Sequence, residues 1–374
     1  MRIAFDAKRA FNNFTGLGNY SRILIEALEN FFPEHEYFLF TPGLREELID
    51  AFSFYSPIIL PQKKIYRIFP FLWRSWSIAE DLHKLKIDVF HGLSNEVPFS
   101  VRSVRAKIIV TIHDLLYLKY PNDFPLTDRM MFDLKTRFAC KHADFVIVNS
   151  YQTQKDLINL LRVPDKKIMR IPLAISNLFI KPIDETRLVQ VKKSYALPDF
   201  FLLQPGTFLK RKNHLLTLQA IKMLQNEMPE LCLVLTGGGG NYRNEVMNAI
   251  KKLGLTKKVM LLRNISVEDM VSIYKMASAV VYPSLGEGFG LPILEAFASG
   301  VPVVVSNIEV FREIAEGAAC FIDPHSVSEL VSSINKILSD KGYRNTLVEK
   351  GFCKVKEYNP ESLARSTQSL YGRL

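Results

Sequence analysis

The sequence predicts an α/β protein with two parallel β-sheets, and three observations lead to this prediction. Short apolar runs alternate with segments of helical period, as they do in repeated βα units. The alternation occurs twice, before and after residues 172–198, a stretch rich in proline and charge that we interpret as a linker. The length of 374 residues also exceeds what one ordinary hydrophobic core supports.

Each half of the chain contributes its own series of strands. In the first half we expect strands at Ile3 to Asp6, Tyr37 to Thr41, Asp88 to His91, Lys107 to Ile112, Phe145 to Asn149 and Ile168 to Ile171. In the second half we expect them at Phe200 to Gln204, Leu231 to Thr236, Val259 to Leu262, Ala279 to Tyr282, Val303 to Ser306 and Cys320 to Ile322. Helices such as Asn19 to Asn30 and Asp128 to His142 separate them. Ligands of such sheets bind beyond the carboxyl ends of the strands, so the loops that follow the strands should hold the functional residues.

Composition indicates a globular protein. Hydrophobic residues make up 48% and charged residues 23% of the chain. The N-terminus enters a strand pattern at once and no apolar run reaches the length of a membrane span, so we expect a cytoplasmic protein. The four cysteines are scattered without a C-x-x-C pair, which indicates neither a disulfide framework nor a zinc site.

The net charge of +10 indicates an anionic partner, such as a phosphate, a nucleic acid or an anionic membrane. Residues 1–196 hold 28 Lys and Arg against 21 Asp and Glu, so most of the excess lies in the first half. No helix-turn-helix, zinc-finger or RNA-recognition pattern accompanies this charge. We therefore expect no nucleic-acid partner.

Residues 63–76, with the sequence KKIYRIFPFLWRSW, interleave basic and aromatic side chains; we refer to them as the 63–76 segment. The basic residues are Lys63, Lys64, Arg67 and Arg74. This composition suits the headgroup boundary of an anionic bilayer or a lipid-linked acceptor. The alternative is a loop that leads into a core helix at Phe71 to Leu85, because Pro70 interrupts any long amphipathic helix.

The stretch from Tyr282 to Ser306, YPSLGEGFGLPILEAFASGVPVVVS, places two carboxylates eight residues apart, Glu287 in a turn and Glu295 in the helix that follows. Three glycines surround the first carboxylate: Gly286, Gly288 and Gly290. They allow backbone amides to approach a ligand, and the amides of a helix that starts near Leu291 favour an anion such as a diphosphate. We interpret Glu287 as facing the reacting end of the ligand and Glu295 as accepting hydrogen bonds from hydroxyl groups farther along it.

Two adjacent cations, Arg211 and Lys212, follow the expected strand Phe200 to Gln204 and precede a helix near Asn213. A guanidinium and an ammonium at a helix start can neutralise charge that develops on a diphosphate leaving group. The alternative is a solvated run of charges that includes Lys210.

Further candidates follow strands of the first half. His113 comes directly after the strand Lys107 to Ile112, a position from which an imidazole can donate a hydrogen bond to a sugar hydroxyl or to a developing oxyanion. We expect Gly16 to Gly18 to form a loop after the first strand, but Arg22 stands where a dinucleotide fingerprint requires its third glycine. We therefore expect no NAD.

Four segments resemble, in the same order, the retaining glycosyltransferases of the GT-B fold. They are Gly16 to Gly18, VTIHDL at 110–115, QPGTFLKRKNHLLTLQA at 204–220, and the E-x7-E stretch of Glu287 and Glu295. The resemblance is to family 4, which includes bacterial mannosyl-, glucosyl- and rhamnosyltransferases, and it extends over almost the whole chain. It implies two Rossmann-like domains that face each other across a cleft. Residues 1–175 would bind the acceptor, residues 195–358 would bind the nucleotide sugar, and the last helix, about 360–374, would pack back on the first domain.

The resemblance also implies roles for individual residues. Arg211, Lys212 and the amides of Phe289 to Leu291 would stabilise the departing diphosphate, and Glu287 would position the donor sugar and support the positive anomeric centre. Glu295 would hold the ribose. The remaining donor-binding candidates are Gly16, Gly18, Gly206, Asn264, Ile265, Gly288 and Gly290. One departure is Thr207, where many relatives have an arginine.

The sequence thus predicts a retaining glycosyltransferase that moves a hexose from GDP-mannose or a similar nucleotide sugar to a saccharide or lipid-linked acceptor of the cell envelope. We expect no metal and no cofactor besides the donor, and a cytoplasmic protein that can be peripheral on the inner face of the plasma membrane. The alternatives are another GT-B enzyme, such as a nucleotide-sugar epimerase or a phosphorylase, and an inactive protein that binds sugar nucleotides. Paired carboxylates also suit a glycosidase, although that function leaves the phosphate-binding cations unexplained.

Overall fold

The chain forms two compact units in its computed structural model, which describes residues 1–45 and 54–374. Residues 1–176 and 358–374 form the first unit, and residues 177–357 form the second. The side chain of Arg67 lies outside the described part. Each unit is built on one sheet in which all neighbouring strands run parallel.

The sheet of the first unit has seven strands. They are β1 Arg2–Asp6, β2 Glu36–Phe40, β3 Ile58–Ile59, β4 Val89–Gly92, β5 Lys107–Ile112, β6 Phe145–Val148 and β7 Ile168–Arg170. Their order is β3-β2-β1-β4-β5-β6-β7, so the order reverses between β1 and β4. That position is the topological switch point, where ligands of open α/β sheets bind. The short strand β3 is absent from the sequence-based assignment.

The sheet of the second unit has six strands. They are β8 Phe201–Pro205, β9 Cys232–Thr236, β10 Val259–Leu262, β11 Ala279–Tyr282, β12 Val303–Ser306 and β13 Cys320–Ile322. Their order is β10-β9-β8-β11-β12-β13, which places the switch point between β8 and β11. Every strand residue of β11 and β12 is buried, as expected for β-branched strands of a parallel sheet that is covered on both faces.

Helices connect the strands. In the first unit they are Lys8–Asn12, Gly16–Phe31, Lys64–Ile68, Pro70–Leu72, Ile78–Lys84, Leu116–Lys119, Leu126–His142, Tyr151–Leu161 and Pro360–Tyr371, with a π-helical turn at Trp73–Ser77. In the second unit they are Asn177–Ile180, Glu185–Ser194, His214–Leu224, Arg243–Lys252, Val267–Met276, Leu291–Ala298, Glu309–Ala315, Val327–Ser339 and Lys341–Val355. Several begin at a side chain that accepts a hydrogen bond from a first-turn amide: Ser150, Asp184, Ser266, Ser326, Asp340 and Asn359.

The stretch 172–198, expected to be a linker, contains regular structure. The helices Asn177–Ile180 and Glu185–Ser194 occupy much of it, and both belong to the second unit. An ion pair of 2.6 Å between Arg187 and Asp269 ties the longer helix to its neighbour. The proline and charge of this stretch therefore mark helix boundaries and an exposed helix face.

The last helix, Pro360–Tyr371, belongs to the first unit and packs on the helix Gly16–Phe31. The Tyr371 hydroxyl lies 2.7 Å from His91 Nδ1, and His91 is fully buried at the end of β4. Through this contact the last helix of the chain packs against the first sheet.

The segment Gly16 to Gly18 is not a loop, contrary to expectation. Gly16 is the first residue of a helix, and Gly18 lies in its first turn. A Cβ atom at Gly18 would lie 1.9 Å from the Asn13 carbonyl oxygen, and Arg22 Nη1 donates to the same oxygen at 2.9 Å. A glycine is therefore required because the preceding turn passes against the helix, a steric cause that the spacing of the glycines does not reveal.

Candidate active site

Two loops of the second unit meet at its switch point. The loop after β8 contains a 3-10 turn at Lys210–Lys212, and the loop after β11 begins at Pro283. The Leu285 amide donates to the Arg211 carbonyl at 2.7 Å, and Asn213 Nδ2 donates to the Pro283 carbonyl at 3.1 Å. These bonds hold the two loops together, so their side chains occupy one site.

Arg211 and Lys212 form a buried ion cluster with Glu287. Arg211 Nη1 lies 2.9 Å from Glu287 Oε2, and Lys212 Nζ lies 2.6 Å from Glu287 Oε1. About a tenth of each side chain is exposed. Arg211 Nη1 also donates to the Gly286 carbonyl at 3.0 Å. Two cations and one carboxylate leave an excess of one positive charge in a place where water screens charge poorly.

The cluster fixes the ionisation of Glu287. Burial by itself raises the pKa of this carboxyl, but the charges of Arg211 and Lys212 outweigh burial and lower the pKa to about 2. Glu287 is therefore a carboxylate at physiological pH and cannot act as a general acid. This argues against a glycosidase in which Glu287 donates the proton.

The Lys212 ammonium group is held in place on several sides. Its Nζ donates to the Tyr282 hydroxyl at 2.6 Å and lies 4.7 Å from the centroid of that ring. Burial and the charge of Glu287 keep the pKa of Tyr282 well above its ordinary value, so the hydroxyl stays neutral. Gly206 has a φ of 131°, and a Cβ atom there would lie 3.4 Å from Lys212 Cε. The predicted binding residue Gly206 thus leaves room for the Lys212 stem.

The turn after Glu287 leads into the helix Leu291–Ala298, at the predicted position. Pro292 has no N–H group, and the Ile293 amide donates to the Gly290 carbonyl at 2.9 Å. Backbone binding of an anion at this helix start therefore depends on amides before Pro292. Those amides belong to the predicted binding residues Gly288, Phe289, Gly290 and Leu291, whose role stays a prediction.

Glu295 lies one turn into this helix and is only half-buried. The Tyr274 hydroxyl donates to its Oε2 at 2.7 Å, and Phe179 packs against the Tyr274 ring. Burial raises the pKa of Glu295 to about 7, although the hydrogen bond from Tyr274 opposes the shift. Glu287 and Glu295 therefore have different electrostatic environments, and only Glu295 changes its charge near neutral pH.

The predicted donor-binding residues Asn264 and Ile265 follow β10. Asn264 is exposed and has a φ of 51°, in the left-handed region. The carboxyl ends of parallel strands lie at one edge of a sheet, so this loop is at the same edge of the second sheet as the ion cluster.

His113, Gly16 and Gly18 belong to the first unit, separate from the residues above. His113 is 5% exposed and packs edge-on against Tyr20, with 4.7 Å between ring centroids. Its Nε2 lies 2.9 Å from the Leu93 carbonyl oxygen. A carbonyl only accepts, so Nε2 carries the proton and, in the neutral ring, Nδ1 is an acceptor. The expected role as a donor is therefore replaced by that of an acceptor.

Of the two interpretations of the 63–76 segment, the membrane-facing one is wrong for Arg74. Its Nη2 lies 2.6 Å from Asp6 Oδ2 and 2.5 Å from Glu96 Oε1, and Lys135 Nζ donates to Glu96 Oε2 at 2.7 Å. Burial lowers the pKa of Arg74, but the two carboxylates outweigh burial and raise it above its ordinary value. Asp6 ends β1 and Glu96 follows β4, so this second ion cluster lies at the switch point of the first sheet.

The rest of the 63–76 segment divides into buried and exposed side chains. Trp73 is 2% exposed and stacks on Phe40, so part of the core interpretation is confirmed. Lys63 and Lys64 are exposed. The exposed apolar residues are Ile65, Ile68, Phe69, Phe71 and Trp76. Within residues 1–45 and 54–374, no helix is both long enough and apolar enough to span a bilayer.

Family models match both halves of the chain. Residues 14–176 match the model described as Glycosyltransferase Family 4, and residues 189–353 match the model described as Glycosyl transferases group 1. Among similar curated proteins, O-antigen chain mannosyltransferase B of Escherichia coli is 27% identical over 87% of this chain and 82% of its own. O-antigen chain mannosyltransferase RfbU of Salmonella typhimurium is 26% identical over 61% of this chain and 60% of its own.

Solved structures share the fold over the full length. HepE of Anabaena, in complex with UDP and glucose, has a TM-score of 0.79 and 18% identity and covers all of both chains. Sucrose-phosphate synthase of Thermosynechococcus elongatus has a TM-score of 0.77 and 22% identity and covers 100% of this chain and 98% of its own. At these identities the likeness establishes the GT-B fold.

Two residues of the site are absent from the sequence-based prediction. Tyr282 contacts Lys212, and Tyr274 contacts Glu295. Tyr282 ends a predicted strand directly before the loop, so its position could have indicated that it belongs to the site. Tyr274 lies 21 residues before Glu295 on another helix, and no local pattern connects the two.

Proposed function

Because the chain belongs to the group 1 and family 4 glycosyltransferases, we propose that it transfers a hexose from a nucleotide sugar, with retention and without a bound metal. The donor is GDP-mannose or a similar nucleotide sugar. The acceptor is a saccharide, free or lipid-linked, of cell-envelope polysaccharide synthesis. The observation that carries the proposal is the buried cluster in which Arg211 and Lys212 both pair with Glu287.

The cluster suits the departure of a nucleoside diphosphate. Transfer breaks the bond between the anomeric carbon and the diphosphate oxygen, and negative charge develops on that oxygen. Arg211 and Lys212 are positioned before the reaction, so they stabilise this charge without having to reorganise. Glu287 is ionised and lies against both cations, where a carboxylate also supports positive charge at the anomeric centre.

Retention follows if the acceptor attacks from the side that the diphosphate leaves. The acceptor oxygen bonds to the anomeric carbon, and its proton passes to the departing phosphate oxygen. No carboxylate nucleophile is required by this route. Glu295 accepts hydrogen bonds from the ribose hydroxyl groups, because this half-buried residue lies one helical turn beyond the amides that are predicted to bind the diphosphate.

The comparisons support the choice of donor. Two similar proteins are O-antigen mannosyltransferases, which favours mannose. The complex of HepE with UDP and glucose supports a nucleotide sugar as the donor class. Among the residues described, no three His, Cys, Asp or Glu side chains are grouped so that they could bind a metal ion. The proposal that no metal is needed does not depend on this absence. It depends on Arg211 and Lys212, which can neutralise the diphosphate.

A panel of nucleotide sugars tests the proposed function. Purified full-length protein is incubated with GDP-mannose, UDP-glucose, UDP-galactose and dTDP-rhamnose, and release of the nucleoside diphosphate is measured with and without candidate acceptors. We expect release from GDP-mannose to be fastest, and NMR of the product to show the anomeric configuration of the donor. Release from none of them would favour an inactive binding protein, and epimerised donor without transfer would favour an epimerase.

We propose in addition that the protein docks peripherally on the inner face of the plasma membrane through the exposed part of the 63–76 segment. Lys63 and Lys64 are exposed in the same segment as exposed apolar side chains, including Phe71 and Trp76, in the half of the chain that carries a net charge of +7. Basic residues near an anionic surface contribute about 1 kcal/mol each, and apolar side chains add burial in the interface.

Vesicle binding tests this docking. The substitutions Lys63→Ser, Lys64→Ser, Phe71→Ser and Trp76→Ser are combined, and Lys84→Ser with Lys166→Ser serves as a control for lost charge. We expect the parent and the control to bind vesicles that contain phosphatidylglycerol, more weakly at high salt, and the combined variant to lose binding. Equal binding of all three proteins would contradict docking through this segment.

A further inference from the structure

Lys8 and Arg9 are two cations without a role in the donor site. They follow Asp6, the last residue of β1, and open the short helix Lys8–Asn12. Both are half-buried. Because they come directly after β1, they lie beside the switch point of the first sheet, where Asp6 binds Arg74.

Within residues 1–45 and 54–374, no carboxylate forms an ion pair with either side chain. In the part of the chain that the structure describes, neither Lys8 nor Arg9 forms an ion pair, and Arg9 Nε is buried without a hydrogen-bond partner. Burial of a cation is unfavourable unless an anion or several acceptors compensate it. Two such cations in sequence indicate that a ligand supplies the missing charge.

The nearby carboxylates are already paired. Arg74 binds Asp6 and Glu96, and Lys135 binds Glu96, so two cations balance two carboxylates. Lys8 and Arg9 remain as an excess of two positive charges. Burial lowers the pKa of Lys8 and the charge of Arg74 lowers it further, although Glu96 and Asp6 oppose the shift. The surroundings as a whole thus disfavour the Lys8 ammonium ion.

The charge of Arg9 also acts on His113. Burial lowers the pKa of His113 to about 4, and the charge of Arg9 contributes to the shift. His113 is therefore neutral, and its Nδ1 accepts hydrogen bonds because Nε2 donates to Leu93. Two cations and one acceptor nitrogen suit a ligand that carries both an anionic group and a hydroxyl group.

We propose that Lys8 and Arg9 form a recognition site for a phosphoryl group of the acceptor. The site rests on the proposed glycosyltransferase function and specifies its acceptor class. An excess of two positive charges matches a phosphate monoester or a diphosphate, and a guanidinium group binds two phosphate oxygens at once. Both a lipid-linked sugar diphosphate and a soluble sugar phosphate carry this group.

Inorganic pyrophosphate is the probe for this site. Calorimetric titration of the full-length protein is expected to show two pyrophosphate sites, one in each unit, and GDP should occupy the one in the second unit. In protein saturated with GDP, the double variant Lys8→Gln, Arg9→Gln should bind pyrophosphate at least about tenfold more weakly than the parent. The control Lys84→Gln, Lys166→Gln removes the same charge from exposed positions and should bind like the parent.

The outcomes separate this site from the donor site. Equal pyrophosphate affinity in the two double variants, or no binding to the GDP-saturated parent, would overturn the proposal. Absence of GDP binding with an intact pyrophosphate site at Lys8 and Arg9 would contradict the proposed function alone.

Two further ligands distinguish the source of the phosphoryl group. Mannose 1-phosphate represents a soluble sugar phosphate, and phosphatidylcholine vesicles with phosphatidic acid represent a lipid phosphate. Loss of binding to either ligand in the Lys8→Gln, Arg9→Gln variant, with the control unchanged, supports the site and identifies the source. The proposal is overturned if the parent protein binds neither ligand.

Discussion

The two switch points of the molecule both hold buried ion clusters, but their charges balance differently. At the first, Arg74 and Lys135 neutralise Asp6 and Glu96. At the second, Arg211 and Lys212 both pair with the carboxylate of Glu287. A balanced cluster satisfies its own members, whereas an unbalanced one retains attraction for an anion.

This difference separates a structural cluster from a reactive one built on the same topology. In the first unit the uncompensated charge lies on Lys8 and Arg9, next to the balanced cluster. In the second unit the excess charge lies within the cluster itself. We therefore expect substitutions at the first cluster to affect folding and substitutions at the second to affect turnover.

The largest effect is expected for Arg74→Leu. This change leaves the buried carboxylates of Asp6 and Glu96 without their shared guanidinium group, although Lys135 still pairs with Glu96, and should lower the free energy of unfolding by about 3–5 kcal/mol. Denaturation in urea measures it, with Arg105→Leu as the control because Arg105 is an exposed arginine of the same unit. An unfolding free energy close to that of the control would mean that this cluster contributes no more than a surface ion pair.

The next effect is expected for Lys212→Ala. Loss of one preorganised donor to developing charge should lower turnover about a hundredfold or more, with little change in melting temperature because Arg211 still pairs with Glu287. Lys210→Ala is the matched control, since Lys210 is the exposed neighbour in the same turn. Equal turnover of the two variants would remove Lys212 from the reaction.

A smaller effect should separate the two glutamates. Glu295→Ala should weaken binding of the nucleoside diphosphate, because ribose contacts exist in the ground and transition states alike. Glu287→Gln should instead lower turnover without weakening binding of the nucleoside diphosphate, since it removes negative charge beside two cations. Calorimetry and steady-state kinetics on both variants measure the split, and the opposite pattern would reverse the assignment of the two carboxylates.

The smallest effect concerns pH. The pKa of Glu295 is about 7 in the empty protein, and ribose hydroxyl groups favour its ionised form as acceptor. Affinity for the nucleoside diphosphate should therefore be constant above about pH 7.5 and fall below pH 7, by at most about tenfold per unit. Glu295→Gln should remove that part of the dependence. The same fall in the variant would assign it to another group.

The sequence predicts the regular elements well because short apolar runs, helical periodicity and glycine-rich turns are local signals. The strands Lys107–Ile112, Val259–Leu262 and Ala279–Tyr282 have the predicted bounds. The adjacency of Arg211 and Lys212 was visible, but their pairing with Glu287 was not, because it depends on β8 and β11 being neighbours in the sheet.

The errors share a cause. For Arg74 the sequence leaves a surface and a core interpretation open, because its partners Asp6 and Glu96 are 68 and 22 residues away. Gly18 was assigned to a ligand loop, yet its nearest obstacle is the backbone of Asn13. In both cases the deciding contact is tertiary, and residue spacing carries no information about it.

The central claim is that protein cations, rather than a bound ion, neutralise the leaving diphosphate, and the rate of sugar transfer in excess EDTA tests it most directly. Arg211 and Lys212 are already held at the switch point by Glu287, so they are available without a divalent ion. We expect the transfer rate in EDTA to equal the rate in magnesium. A rate that collapses in EDTA and returns on addition of magnesium or manganese would contradict it.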